Sequence, residues 1–198
     1  MASSDLFHEL SGLSPADQIL VSRFGQGPAV LAPYSIVHEA FESIVDTHPE
    51  VVAARLGDKQ ITYGELELAA NRLANYLIET GLQPRQRICL VVQRSFEMLV
   101  GIFAILKVGC QYVPVDGGVL SEHALQYILK DTEAQLVLCL PKFEDKINRC
   151  FGGNIATIVL GQGVEDFSST ERRNIPVSPE DGVYAIYTSG TSISHDIK

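Results

Sequence analysis

The sequence predicts an α/β fold, a mainly parallel sheet with helices on both faces. Three observations lead there. Runs such as Arg87–Gln93 (RICLVVQ) and Ala134–Leu140 are apolar at successive positions, so both faces of each strand are buried. These runs alternate with amphipathic helical stretches. The chain has 198 residues, 46% hydrophobic and 20% charged, a globular composition long enough for one real core.

The elements follow in order. Residues 1–33 are punctuated by Ser14-Pro15, Gly25, Gly27-Pro28 and Pro33, with one short helical stretch around Pro15–Ser22, and read as a connector. From Tyr34 the pattern is regular. Ser35 is the expected N-cap of a helix carrying Val37, Phe41, Ile44 and Val45, stopped by His48-Pro49. Val51–Leu56 and Gln60–Tyr63 flank Gly57-Asp58-Lys59 as a hairpin. Thr62 and Glu65 form a capping box, and Leu66, Ala70, Leu73 and Leu77 make one apolar stripe on the helix that follows, which ends at Gly81. Strands are expected at Arg87–Gln93, Gln111–Val115, Ala134–Leu140, Ile155–Leu160 and Val183–Thr188. Helices capped by Ser95 and Ser121 and a weak one at Lys142–Cys150 lie between them. Leu90-Val91-Val92 is expected in a central strand, with Phe103, Ile105 and Leu106 buried.

Charge excludes some functions. Lys and Arg total 15 against 24 Asp and Glu, a net −9, and residues 1–50 hold Arg23 alone against seven acids. An acidic chain without a basic run is a poor ligand for nucleic acid or an anionic membrane. The N-terminus has neither a basic nor an apolar signal region, and the apolar run Met98–Leu106 is far short of a bilayer span. Cys89, Cys110, Cys139 and Cys150 show no metal-ligand spacing and read as reduced core thiols, in keeping with a cytoplasmic protein. The five histidines are scattered and support no hydrolase triad. Glu39, Glu42, Glu65 and Glu67 are expected to face solvent or cap helices. Gly161-Gln162-Gly163 reads as a turn.

The strongest chemical signal is Tyr187-Thr188-Ser189-Gly190-Thr191-Ser192, an apolar strand running into hydroxyls around one glycine. Parallel sheets bind ligands at the carboxyl ends of strands. A glycine there lets backbone N–H groups approach an anion, and hydroxyls can donate to phosphate oxygens or bind Mg²⁺. Composition alone also allows an ordinary polar turn.

Three segments together resemble the adenylation domains of nonribosomal peptide synthetases, within the AMP-forming acyl/aminoacyl ligase superfamily. Ile61-Thr62-Tyr63-Gly64-Glu65-Leu66 resembles the first core motif, L-T-Y-x-E-L. Leu106–Asp116 (LKVGCQYVPVD) resembles the second, and Tyr187–Ser192 the opening of the third, Y-T-S-G-[ST]-T-G-x-P-K-G. The lead-in from Leu13 to Pro28 is similar to the connector between a condensation and an adenylation domain.

The resemblance implies that ATP and an amino or other carboxylic acid are condensed to an acyl-adenylate with release of pyrophosphate. The acyl group then passes to the phosphopantetheine thiol of a carrier-protein domain. It implies ATP and Mg²⁺ as cofactors, carrier and condensation domains as partners, and no nucleic acid or membrane. Carried over, Thr188, Ser189, Gly190, Thr191 and Ser192 are phosphate contacts. The implied organisation is a connector at 1–33, the N-terminal part of an AMP-binding domain at 34–192, and a divergent tail at 193–198. Ile193 stands where the family has its second glycine and Asp196 where it has a lysine, so this chain alone is expected to be inactive. The alternative is a non-catalytic interaction module keeping the same partial fold.

Overall fold

Capping residues and stop signals set most element boundaries in the computed structural model, which describes residues 12–25, 27, 32–162 and 169–188. The chain divides into two units, Met1–Pro33 and Tyr34–Lys198. The first carries helix α1, Pro15–Phe24, capped by the Ser14 hydroxyl, which accepts from the Asp17 amide at 3.2 Å. No residue of α1 is buried.

The second unit opens with α2, Val37–Thr47. Its N-cap is Ile36 rather than Ser35, with no side-chain cap bond. Phe41 and Val45 are buried while Val37 and Ile44 are exposed, so the apolar stripe is narrower than its sequence pattern. Strands β1 (Val52–Leu56) and β2 (Lys59–Thr62) form an antiparallel hairpin about Gly57-Asp58. Gly57 takes φ +59, open to glycine without strain. The capping box is complete: Thr62 Oγ1 accepts from the Glu65 amide at 3.2 Å, and Glu65 Oε2 accepts from the Thr62 amide at 2.8 Å. It starts α3, Tyr63–Glu79, whose stripe of Leu66, Ala70, Leu73 and Leu77 is wholly buried.

The main sheet contains β3 (Arg87–Val92), β4 (Gln111–Asp116), β5 (Leu136–Cys139) and β6 (Ala156–Val159), all parallel, in the order β4-β3-β5-β6. Between them run α4 (Phe96–Lys107), capped by Ser95; α5 (Glu122–Asp131), capped by Ser121; and a 3₁₀ turn at Pro141–Phe143 leading into α6 (Glu144–Phe151). The β3→β4 connection steps one way across the sheet, and β4→β5 and β5→β6 step the other. Right-handed crossovers therefore place α4 on one face and α5 and α6 on the opposite face. The contacts agree: α3 packs on α4, and α5 on α6. β3 lies between two neighbours, and Ile88–Val91 are fully buried. Ile105 and Leu106 are buried as expected. Phe103 is half-buried, because it belongs to a smaller cluster with Phe41, stacked at a centroid distance of 4.0 Å.

The expected strand at Val183–Thr188 is not a strand. It is a single parallel bridge, Tyr112 to Tyr184, made by Tyr112 N–H to Val183 O (3.2 Å) and Ala185 N–H to Tyr112 O (3.1 Å). The reason lies in β4. Gln111, Val113 and Val115 turn their amides toward β3, as the Gln111-to-Gln86 bond shows, so Tyr112 and Pro114 face the outer edge. Pro114 has no N–H to give, and the outer ladder stops after one rung. Tyr184 and Ile186 are exposed in consequence.

Candidate functional site

Of the five residues expected to contact phosphate, the structure places Thr188, which is exposed at the end of residues 169–188. Ser189, Gly190, Thr191 and Ser192 lie outside the described residues. Residues 169–188 lead in the sequence to that run. They have no helix or strand and run as a strap.

The strap is held by a polar face of α3. Glu67, Asn71 and Asn75 recur at helical spacing and are all buried. Asn75 Nδ2 donates to the carbonyls of Ser169 (3.1 Å) and Glu171 (3.0 Å), and Asn71 Nδ2 donates to that of Thr170 (3.0 Å). Three successive carbonyls of an irregular segment are thus satisfied by two amides. Arg173 donates to Asn75 Oδ1 at 2.7 Å. Arg172 donates to Glu67 Oε1 at 2.5 Å and pairs with Asp46 at 2.8 Å.

Glu67 also faces a cation from α4. Lys107 Nζ lies 3.0 Å from Glu67 Oε2 and donates to Glu42 of α2 as well. Burial by itself would raise the Glu67 pKa, but bonds from Arg172 and Lys107 outweigh it and hold the carboxyl below its ordinary value. The expectation that Glu67 faces solvent is corrected: only 4% of it is exposed. Glu42 is drawn into the same network, whereas Glu65 caps α3 as expected.

Beyond the network the strap meets three more anchors. Ile175 and Val177 lie over Gly109, where an added Cβ would sit 3.4 Å from Ile175 and 3.6 Å from Val177. Asp181 pairs with Arg85 at 2.7 Å and accepts from the Ser178 amide at 2.9 Å. Tyr187, one residue before Thr188, donates its hydroxyl to Asp131 at the end of α5 and meets Tyr127 edge-on. Burial, then the Asp131 bond, raises the Tyr187 pKa, so its hydroxyl stays protonated as a donor.

The other residues singled out from the sequence take no part. All four cysteines are free and buried, and burial pushes the Cys89 and Cys139 thiols up to about 12 and the Cys110 thiol to about 11. They are protonated and inert at neutral pH. Gly161 makes a turn directly after β6 at φ +76. Among the described residues no cluster of three His, Cys, Asp or Glu could hold a metal ion, and no helix is long and apolar enough to cross a membrane.

Comparison with known proteins agrees with this architecture. Residues 41–192 match the family described as AMP-binding enzyme. The chain is 34% identical over 195 residues to adenylate-forming reductase 03009 of Coprinopsis cinerea, covering 97% of this chain and 18% of that protein. It is 31% identical over 173 residues to surfactin synthase subunit 2 of Bacillus subtilis, covering 87% of this chain and 5% of that one. Among solved structures, the AMPPNP-bound nonribosomal peptide synthetase FmoA3 superposes with a TM-score of 0.74 at 23% identity, over 89% of this chain and 18% of that one. This last likeness concerns the fold.

Proposed function

Because the chain belongs to the AMP-binding enzyme family, we propose that residues 34–192 are the N-terminal part of an adenylation domain that activates an amino or other carboxylic acid with ATP. The observation that carries this reading is the family match running from α2 into the hydroxyl-rich run, with all three motifs in order inside it.

In the proposed reaction a carboxylate oxygen of the acid attacks the α-phosphorus of ATP. The bond to the β-phosphate breaks, giving acyl-adenylate and pyrophosphate. The hydroxyls of Thr188, Ser189, Thr191 and Ser192 and the backbone at Gly190 suit the β- and γ-phosphate oxygens by the chemistry of their donors. They would hold the phosphates in place. Mg²⁺, when bound, would neutralise charge on the leaving pyrophosphate. The acyl group would then pass to the phosphopantetheine thiol of a carrier domain in a cytoplasmic assembly line. Residues 1–33 would be the connector to a preceding condensation domain.

One observation favours a second reading of the later steps. The reductase relative aligns across 195 residues, nearly the whole chain. On that reading the acyl-adenylate is made for reduction rather than for peptide synthesis.

The chain spans 18% of that relative, and the whole enzyme's activity is tested by completing it. Residues 34–192 joined to the remainder of an adenylation domain should support acid-dependent ATP–pyrophosphate exchange. The 198-residue chain should give none above a no-enzyme blank, since Asp196 stands where the resembled motif has a lysine. Exchange by the 198-residue chain, or none by a folded completed domain, would refute the reading.

A further inference from the structure

Residues 169–188 form a strap held by polar contacts at its start and by the packing of Ala185 and Tyr187 against the core at its end. Its backbone makes a single rung with the sheet, because Pro114 ends the ladder. The Arg85–Asp181 pair is largely solvent-exposed on its arginine side and contributes little. The buried polar contacts sit at one end, where Glu67, Asn71 and Asn75 grip residues 169–173, while at the other Ala185 and Tyr187 pack against the core. Glu67 joins three elements there: its own helix α3, α4 through Lys107, and the strap through Arg172.

We propose that a latch centred on Glu67 fixes the strap 169–188 as one unit, and that Glu67 and Arg172 are thereby positioning residues for Thr188. This rests on the functional reading above, in which Thr188 opens the phosphate-contacting run. The latch touches neither substrate nor reacting atoms; it acts through the strap. Carbonyls 169, 170 and 171 are matched one by one to Asn75, Asn71 and Asn75, so the strap cannot slide along α3 without breaking all three bonds. Arg172 then places its charge between Glu67 and Asp46, which sets the strap's lateral position between α3 and α2. The family's first and second motifs flank the partners of this latch, Glu67 directly after the first and Lys107 within the second. The third motif begins where the strap ends.

The test is amide hydrogen exchange on the 198-residue chain without nucleotide. Two amides report on the strap's far end: Ala185, bonded to Tyr112 O, and Tyr112, bonded to Val183 O. Leu140, bonded to Val91 O, reports on the sheet. Arg172→Gln should accelerate exchange at Ala185 and Tyr112 at least tenfold and leave Leu140 unchanged, and Arg172→Lys should restore most of the protection. Asn75→Ala should act in the same direction from the α3 side, which keeps the test alive if the arginine variant does not fold. Unchanged exchange at Ala185 in the folded variants would overturn the proposal. So would an equal acceleration at Leu140, which would mean general destabilisation. Because no nucleotide is used, a completed domain that fails to exchange pyrophosphate leaves this result standing. Conversely, an unmoved Ala185 removes the latch and leaves the adenylation reading untouched.

Discussion

Strand β3 and the strap 169–188 belong to the same unit, yet they are held by opposite means. β3 is flanked on both edges, and Ile88, Cys89, Leu90 and Val91 have no exposed surface. Its stability comes from apolar burial, non-directional and spread over many neighbours. The start of the strap, residues 169–173, is held by directed hydrogen bonds and ion pairs to named side chains, most of them on one face of α3, while Ala185 and Tyr187 at its far end pack on the core. A core of the first kind fails all at once. A strap of the second kind can be released contact by contact while the sheet stays folded. In this fold the segment that leads to the proposed phosphate-contacting run is of the second kind.

The largest expected effects come from buried groups. Lys107→Ala removes the buried cation between Glu42 and Glu67 and leaves them the half-buried Arg172. Breaking a buried pair from one side costs about 3–5 kcal/mol, and urea unfolding should show a loss of that order. Leu90→Ala empties the centre of the sheet, where Leu90 is fully buried. It should cost about 2–5 kcal/mol, with loss of protection in β3 and β5 together. If Leu90→Ala loosened the strap alone, the contrast between the two regions would be wrong.

Acid should separate the regions next. Glu67 has its folded pKa lowered from the ordinary 4.5, so it binds protons more weakly folded than unfolded. Its stabilising contribution is complete above pH 4.5 and is lost as pH falls through the depressed folded value. The charged and titratable groups facing it are Lys107, Arg172, Glu42 and His38, with Asp46 reached through Arg172. Proteolysis within 169–188 should rise below pH 4.5 before near-ultraviolet circular dichroism reports loss of the core. Simultaneous loss of both would count against a separable strap.

A smaller effect belongs to the helix start. Thr62→Ala removes the hydroxyl half of the capping box and should lower stability by about 1 kcal/mol. Smallest is Arg85→Gln, which breaks an exposed pair and should change stability by about 0–1 kcal/mol. A loss well above that would make Arg85–Asp181 a main anchor of the strap and weaken the case for Glu67.

The same contrast explains what was legible in the sequence. β3, α4 and the stripe of α3 were readable because burial demands apolar residues at a fixed period, and Leu66, Ala70, Leu73 and Leu77 obey it. Val183–Thr188 was misread for the same reason. Its apolar residues satisfy the pattern, but whether they pair is decided by Pro114, some seventy residues away. Glu67 was misread because a charged residue on a helix ordinarily faces water. The available signal was its recurrence with Asn71 and Asn75 at steps of four, a polar stripe beside the apolar one. No local pattern announces that Arg172 will find it. The hydroxyl-rich run was visible as chemistry, but only Thr188 of it is placed.

The central claim, that the run from Thr188 to Ser192 holds ATP phosphates, is tested most directly by steady-state exchange kinetics in the completed domain. Ser189 and Thr191 would be changed to alanine together. The account predicts that KM for ATP rises at least tenfold while KM for the acid is unchanged. An unchanged KM for ATP, or an equal rise for both substrates, would contradict it.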